Sequence, residues 1–267
     1  MYPRIGARQI ADIRRSEIVR LLDRIADENG PVQADVTLSF VRRVMNWHAG
    51  RSDDFRSPIV RDMAKTKPGQ RRRQRILSDD EIRAVWRAAE AQPSTFTRLV
   101  QFLLLTATRR NEAARMERSE LTGPNWIIPE RRYKNGLQLL VPLSPAAQDV
   151  LAKTPHIGDR LVFTNDGKHA LASFSKFKPK LDKASGTTGW TLHDLRRTAR
   201  SLMSRAGVSV DHAERCLGHV MGGLRGTYDV HGYAEEKRRA FEALAGLIER
   251  ILDPQENVTP LRGQFRP

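Results

Sequence analysis

The stretch from Ala64 to Trp86 reads AKTKPGQRRRQRILSDDEIRAVW and divides the chain into two parts. Its first half, residues 64–75, carries six positive charges, no acidic residue and a Pro-Gly break. Its second half contains Ser78-Asp79-Asp80-Glu81, a pattern in which the serine and the glutamate cap the first turn of a helix reciprocally. The stretch therefore predicts a basic linker over residues 65–77, followed by the first helix of a second domain.

Before the linker, the apolar spacing predicts a small helical domain over residues 1–64. One helix is predicted over residues 11–29, and the Asn-Gly-Pro sequence that follows ends it. A second helix is predicted over residues 34–49, and a short third helix near residues 59–63. The second helix is expected to place four apolar side chains on one face, namely Phe40, Val41, Val44 and Trp47.

After the linker, the pattern predicts a mainly helical domain over residues 78–252 that contains a β-hairpin. Apolar runs at residues 126–129 and 137–141 flank a polar turn that contains Lys134, Asn135 and Gly136, and Asn-Gly between such runs is a strong hairpin signal. Helices are predicted after Ser78, over 95–107 and 111–117, from Ser144, and over 173–183, 192–206, 209–217 and 233–252. Residues 253–267 contain three prolines and are expected to form a flexible tail. The fold class is mostly α with a small β-hairpin or sheet.

The composition favours a phosphate-rich partner. Lys and Arg outnumber Asp and Glu by 46 to 31, a formal charge of +15, and a surplus of this size is typical of proteins that bind nucleic acid. A basic protein without such a partner is the alternative. A single cysteine, Cys216, excludes an internal disulfide, and the chain lacks the Cys and His spacing of a zinc site. No membrane span or secretory signal is recognisable, so a cytoplasmic, nucleoid-associated protein is expected.

Cationic and hydrogen-bonding residues precede one tyrosine in the second domain. In chain order these are Arg109 in TATRRNE, Lys134 at the hairpin, His193 and Arg196 in HDLR, His219 in LGH, and Tyr228. A hydroxyl that attacks a phosphodiester creates extra negative charge on the nonbridging oxygens, and fixed cations and donors lower that barrier. This set exceeds what the packing of one tyrosine needs, so it predicts a tyrosine that cuts DNA.

Each of these residues also has an ordinary structural explanation. Arg109 and Glu112 can form an i,i+3 helix pair, His193 can be a satisfied residue at a helix start, and Lys134 can be a polar turn residue. The nucleophile must also be chosen among four tyrosines. Tyr133 adjoins Lys134 and is a candidate for DNA contact, whereas Tyr233 begins an amphipathic helix and is interpreted as structural. It is improbable that all of these structural explanations hold at once.

The order Arg, Lys, His-x-x-Arg, Gly-His, Tyr resembles that of the tyrosine recombinase, or phage integrase, family. Residues 78–250 resemble its catalytic domain and residues 8–65 its helical core-binding domain. Ala107 stands where the family's Thr-Gly-x-Arg-x-x-Glu has glycine, and Tyr228 lies nine residues after His219, a spacing typical of the family. The resemblance implies a site-specific recombinase that cleaves and rejoins DNA through a covalent 3′-phosphotyrosine and a Holliday junction.

Physical chemistry suggests a role for each residue in such a reaction. The planar guanidinium groups of Arg109 and Arg196 can each grip two phosphate oxygens. His219 can donate to the same oxygens, and Glu112 is expected to orient Arg109.

Tyr228 is the expected nucleophile. Lys134 can protonate the leaving 5′ oxygen, and His193 can orient the phosphate or accept the tyrosine proton. No P-loop and no cluster of acidic residues is present in the sequence, so no cofactor and no metal are expected.

The expected partner is double-stranded DNA carrying attachment or core sites. The resemblance implies a homotetramer on DNA, a monomer in solution, and accessory DNA-bending or directionality proteins. It leaves open whether an arm-binding domain belongs before residue 1, and whether helix 235–252 packs on its own protomer or a neighbour. A type IB topoisomerase and a DNA-binding protein without strand transfer are the alternatives.

The linker is either a solvated segment or a strap along the phosphate backbone. Candidate DNA contacts are Arg42, Arg43, Arg71, Arg72 and Arg73.

Overall fold

A computed structural model of the chain describes residues 5–67, 73–133, 136–219 and 232–254. It divides into two compact units, an N-terminal unit over Met1–Arg73 and a C-terminal unit over Gln74–Pro267. Each unit is described by itself.

Over residues 10–67, the N-terminal unit forms a 3-10 turn at Ile10–Asp12 followed by the helices α1 (Arg15–Asn29) and α2 (Pro31–Ala49). Gly30 joins the helices with a φ of 88°, a conformation that favours glycine. Pro31 begins α2 because proline suits the first helical position, where its missing N–H costs no hydrogen bond. The core between the helices is small and consists of Ile13, Ile18, Leu22, Ala34, Leu38, Val41 and Met45.

Two expectations for the N-terminal unit are wrong. Residues 51–67 form turns and extended chain without the predicted third helix, although Ile59 and Met63 still pack against the core. The predicted apolar face of α2 is also split. Val41 is buried against α1, whereas Phe40, Val44 and Trp47 are 52%, 51% and 57% exposed. The reason is the helical period, which places Val41 with the buried stripe and the other three on the opposite side.

The C-terminal unit begins with α3 (Asp79–Ala91), α4 (Thr95–Thr106) and α5 (Arg110–Ala114). The predicted capping box of α3 is confirmed: Ser78 Oγ accepts from the Glu81 backbone N–H at 3.2 Å, and the Ser78 N–H donates to Glu81 Oε2 at 2.9 Å. Almost every residue of α4 is buried, which makes it the central helix of the unit.

The sheet has three antiparallel strands in the order β1 (Leu121–Thr122), β2 (Asn125–Ile128) and β3 (Leu139–Pro142). Trp126 pairs with Val141, and the pairing of β2 with β3 agrees with the predicted hairpin. Residues 129–138 connect the two strands, and this connection includes a 3-10 turn at Glu130–Arg132. The two-residue strand β1 was not predicted.

Five further helices complete the described part of this unit: α6 (Pro145–Ala152), α7 (Phe174–Ser185), α8 (Leu192–Arg205), α9 (Val210–Cys216) and α10 (Ala234–Leu252). The central helix α4 packs against α6 and α8, while α10 contacts α3, α8, α9 and β3. The fold class is mostly α with a small antiparallel sheet, as predicted. Packing of α8 against both α4 and α9 brings polar residues at the ends of these elements together.

Candidate active site

Arg109 lies in the sharp turn between α4 and α5 and is held by Glu112. α4 ends at Ala107, whose φ of 52° reverses the chain. The Arg109 backbone N–H donates to Glu112 Oε2 at 3.0 Å, and Nη1 of Arg109 donates to Glu112 Oε1 at 2.7 Å. Burial works against the charge, but contacts with Tyr133 and Glu112 outweigh it and raise the pKa of Arg109. A single carboxylate thus fixes both the backbone and the guanidinium of this arginine.

Arg196 is a buried cation held by backbone carbonyls. Its side chain comes from α8, and the residue is only 5% exposed. The guanidinium donates to the carbonyl oxygens of Ala107 at 2.6 Å and Leu217 at 2.8 Å. Burial, together with the nearby charge of Arg109, lowers the pKa of Arg196 to about 10, so the group is still charged at neutral pH. Arg196 therefore joins the end of α4 to the end of α9.

His219 follows the C-terminus of α9 and faces Arg196. Gly218 has a φ of 65°, and its N–H donates to the Arg215 carbonyl at 3.0 Å, so the chain turns sharply out of the helix. This turn places His219 Nε2 3.2 Å from Nη2 of Arg196. The other ring nitrogen, Nδ1, contacts the carboxylate of Glu214. We call Arg109, Arg196 and His219 the polar cluster.

Tyr133 connects the loop between β2 and β3 to the polar cluster. The side chain is buried, and its hydroxyl donates to the Gly218 carbonyl at 2.5 Å. The Arg109 guanidinium lies 5.4 Å from the centre of its ring. Its neighbour Arg132 donates to Glu120 Oε1 at 2.7 Å, which anchors the same loop to the sheet. Because its side chain is buried, Tyr133 is a packing residue and is not exposed for contact with DNA.

His193 lies at the exposed start of α8, one helical turn before Arg196. Burial and the positive charges of Arg197 and Arg196 lower the pKa of His193. The imidazole is therefore neutral at pH 7, with one nitrogen able to accept a proton.

A cationic cavity of about 720 Å³ lies beside Arg109 and His193. Its basic lining residues are Arg109, Arg110, Arg115, Arg131, Arg132 and Lys178. Two aromatic rings form part of its wall: Arg110 lies 4.6 Å from the ring centre of Phe174, and Lys178 Nζ lies 3.6 Å from that of Trp190. A cavity of this chemistry suits an anionic ligand with a phosphate backbone.

The structure brings together four of the predicted residues and their support, Glu112. Lys134, Tyr228, Arg71 and Arg72 lie outside the described residues. Tyr233, interpreted as structural, precedes α10, and its ring centre lies 3.6 Å from the Arg215 guanidinium. Of the DNA-contact candidates, Arg42 and Arg43 lie on α2 and Arg73 ends the N-terminal unit.

The described residues contain no group of His, Cys, Asp and Glu side chains suited to a metal ion. No helix among them is long and apolar enough to cross a membrane.

Residues 75–229, more than half of the chain, match the model of the phage integrase family. The chain is a member of this family of tyrosine recombinases. Among curated relatives, it is 26% identical to the prophage integrase IntZ of Escherichia coli K12 over 266 residues. The alignment covers 94% of this chain and 64% of the relative, so this integrase spans less than two thirds of that relative's length.

Solved structures support the integrase fold. A lambda integrase dimer bound to a core site matches with a TM-score of 0.64 at 21% identity, covering 79% of this chain and 80% of the other. A lambda integrase tetramer bound to a Holliday junction matches with a TM-score of 0.64 at 20% identity, covering 83% and 68%.

Sequence reasoning missed three residues that support the polar cluster: Tyr133, Arg200 and Glu214. Glu214 precedes His219 by five residues, so only the chain reversal at Gly218 brings its carboxylate to the imidazole. Arg200 contacts Glu214 from another helix, and no local pattern signals such a pairing. The position of Tyr133 beside Lys134 was noted, but burial of its ring was not predicted.

Proposed function

We propose that this integrase is a site-specific DNA recombinase that cleaves and rejoins DNA through a covalent 3′-phosphotyrosine. The observation that carries the proposal is that Arg196 contacts His219 and the Ala107 carbonyl, and that the charge of Arg109 acts on Arg196, so three separate segments meet at one site. Membership of the phage integrase family supports it.

In the proposed reaction, the Tyr228 hydroxyl attacks the scissile phosphorus and the bond from phosphorus to the 5′ oxygen breaks. His193 accepts the phenolic proton, consistent with its lowered pKa. Lys134 donates a proton to the departing 5′ oxygen. A 5′ hydroxyl from a second strand then attacks the phosphotyrosine, and the same two proton transfers run in reverse. The covalent link conserves the bond energy, so rejoining needs no ATP.

The polar cluster stabilises the charge that develops on the nonbridging oxygens. Arg109 keeps its position through Glu112, and Arg196 through two backbone carbonyls, so neither guanidinium has to reorganise during the reaction. His219 adds an N–H donor beside Arg196. Loss of one such donor costs roughly 10²–10³ in rate.

The proposed substrate is duplex DNA with attachment sites, engaged by both domains and by the basic linker at residues 65–77. Charge supports this arrangement, since residues 1–75 carry 17 basic and 9 acidic residues, a balance of +8. We propose a tetramer on DNA that passes through a Holliday junction, because the related lambda integrase is seen as a tetramer on such a junction. Accessory bending or directionality proteins and association with the nucleoid complete the proposal.

The deciding experiment is a nicked suicide substrate that carries the attachment site. The wild-type protein should trap a covalent protein–DNA adduct, because the nicked strand diffuses away after cleavage. Tyr228→Phe should trap none, and Tyr233→Phe serves as the matched control that retains the adduct. An adduct that persists in Tyr228→Phe and disappears in Tyr233→Phe would overturn the assignment of the nucleophile. Relaxation of supercoiled DNA without an attachment site would favour a type IB topoisomerase.

Salt dependence tests the proposed engagement of DNA by both domains. Binding that neutralises many phosphates weakens steeply as salt rises, because condensed counterions are released. A steep fall in affinity is expected between low and moderate salt. A shallow dependence of DNA affinity on salt would contradict the proposal that both domains bind the DNA.

A further inference from the structure

A row of contacts runs through both ring nitrogens of His219. Arg200, on α8, donates from Nε to Glu214 Oε1 at 2.8 Å. The other oxygen of Glu214 contacts His219 Nδ1. His219 Nε2 lies 3.2 Å from Arg196 Nη2. The row Arg200–Glu214–His219–Arg196 thus begins and ends on α8 and passes through the end of α9.

The chemistry of the partners decides which nitrogen of His219 carries the proton. A guanidinium can only donate, so the contact with Arg196 makes Nε2 an acceptor. A carboxylate can only accept, so Nδ1 must carry the hydrogen that faces Glu214. Both neighbours therefore specify the same tautomer. Arg200 donates to Oε1 of Glu214, the oxygen that does not face His219, and so holds the carboxylate in place.

Glu214 is ionised in this setting. Burial works against the charge, but the hydrogen bonds from Arg200 and His219 outweigh it and lower the pKa of Glu214. The family resemblance assigned no role to this carboxylate.

We infer that Glu214 is the positioning residue of His219, and that Arg200 holds Glu214 in place. The inference rests on the proposed function, in which His219 acts on the scissile phosphate. When the phosphate takes the N–H of Arg196, Nε2 of His219 faces the phosphate. Glu214 keeps Nδ1 engaged, so Nε2 is the ring nitrogen that is left to interact with a nonbridging oxygen.

A double-mutant cycle tests whether Glu214 acts through His219. Glu214→Ala should slow single-turnover cleavage of the suicide substrate about 10- to 100-fold, the range seen when a carboxylate behind a metal-bound histidine is lost. Glu214→Ala combined with His219→Ala should be no slower than His219→Ala alone. Effects that multiply in the double variant would show that Glu214 acts independently of His219 and would overturn the inference.

Asp211→Asn is the matched control, because Asp211 lies on the same helix and pairs with Arg215 at 3.0 Å. It should cleave at the wild-type rate. A loss equal to that of Glu214→Ala would mean that any change of charge on α9 disturbs the site, which contradicts the inference.

Nitrogen NMR of ¹⁵N-histidine protein without DNA provides a readout that does not depend on activity. His219→Ala identifies the signal, which in the wild type should show a proton on Nδ1. In Glu214→Ala, Arg196 still makes Nε2 an acceptor, so Nδ1 keeps its proton, but that proton loses its carboxylate partner and its hydrogen-bonded chemical shift should be lost. An unchanged Nδ1 proton signal in Glu214→Ala would overturn the inference even if cleavage were slowed. A wild-type protein that forms no adduct would refute the proposed function and leave this NMR result standing.

Discussion

The two units of the integrase differ in where they keep their positive charges. In the N-terminal unit, Arg43 and Arg51 lie over the exposed rings of Phe40 and Trp47 at 5.8 Å and 4.5 Å. In the C-terminal unit, Arg196 is buried, and its two terminal nitrogens contact two backbone carbonyls and a histidine. A charge at the surface can move to meet a ligand, whereas a buried and bonded charge is fixed before the ligand arrives. Under the proposed function, the first unit would attract DNA and the second would supply a rigid site.

The size of the core explains the difference. Taking a cation out of water is costly unless hydrogen bonds replace its hydration. The C-terminal unit buries a continuous core that includes the rings of Phe102, Trp126 and Phe163, and this core holds the carbonyls that bind Arg196. The two-helix core of the N-terminal unit is smaller, and a charged residue that it buries is Asp35, whose carboxylate accepts from the backbone N–H groups of Lys65 and Thr66.

The largest expected effect concerns the two cores. Phe102→Ala should lower the free energy of unfolding of the C-terminal unit by about 3–5 kcal/mol, because a fully buried ring leaves a cavity. Leu38→Ala in the N-terminal unit should cost about 2–3 kcal/mol, the lower part of the range for leucine, because the thinner core can collapse around it. Hydrogen exchange resolved by residue measures each unit separately. Equal losses of unfolding free energy in the two units would contradict the difference in core size on which the comparison rests.

The next effect separates a fixed charge from a surface charge. Arg196→Ala should slow adduct formation by roughly 10²–10³, because a preorganised donor to the phosphate is lost. Arg43→Ala should instead weaken DNA binding and reduce the salt slope by about one unit. Single-turnover cleavage and binding titrations at several salt concentrations measure the two effects. If Arg196→Ala changed the salt slope and left the cleavage rate unchanged, Arg196 would act as a surface charge and not as a fixed donor to the phosphate.

Two glycines test how closely each unit is packed at a chain reversal. A methyl group at Gly218 would overlap the Tyr133 hydroxyl and lie 3.0 Å from a Leu139 methyl, whereas one at Gly30 would meet nothing within 4 Å. Gly218→Ala should therefore destabilise by about 1–3 kcal/mol from overpacking, in addition to the strain of positive φ that both sites share. Thermal unfolding measures the difference. Adding Tyr133→Phe should partly restore the stability of the Gly218→Ala variant, because it removes the overlapping hydroxyl. An unchanged stability would contradict the predicted overlap.

The smallest expected effect is electrostatic and lies within the C-terminal unit. His193 should titrate below its ordinary pKa of 6.5, and Arg197→Gln should raise its pKa, because one neighbouring positive charge is removed. A folded-state pKa below the unfolded one means that stability falls as the pH drops through 6.5, and that the loss is complete below the folded-state pKa. NMR titration of the histidine measures both values. A lower pKa in Arg197→Gln would contradict the proposed origin of the shift.

Much of the fold follows from local patterns in the sequence. The capping box at Ser78, the proline that begins α6 after Ser144, and the glycine that follows α8 are each decided within a few residues. The helix predicted over residues 95–107 is likewise confirmed as α4. Errors occurred where the pattern is weak: near residues 59–63, apolar side chains reach the core from an extended chain, and β1 is too short to produce an alternating pattern.

The order and spacing of polar residues predicted the members of the polar cluster but not their supports. Arg109 and Glu112 are neighbours on one turn, so their pairing could be predicted from spacing alone. The contacts of Arg196 with Ala107 and Leu217 join segments far apart in the chain, and no periodicity encodes them.

By itself, the sequence determined which chemical groups this integrase carries, where its helices begin, and that its charge favours DNA. Those properties depend on residue type and on neighbours within a few positions. The tertiary structure alone decided that Arg196 is buried, that Phe40 and Trp47 are exposed, and that Glu214 stands behind His219. These depend on which faces of distant helices meet, because burial and hydrogen bonding are set by the packing of the whole unit.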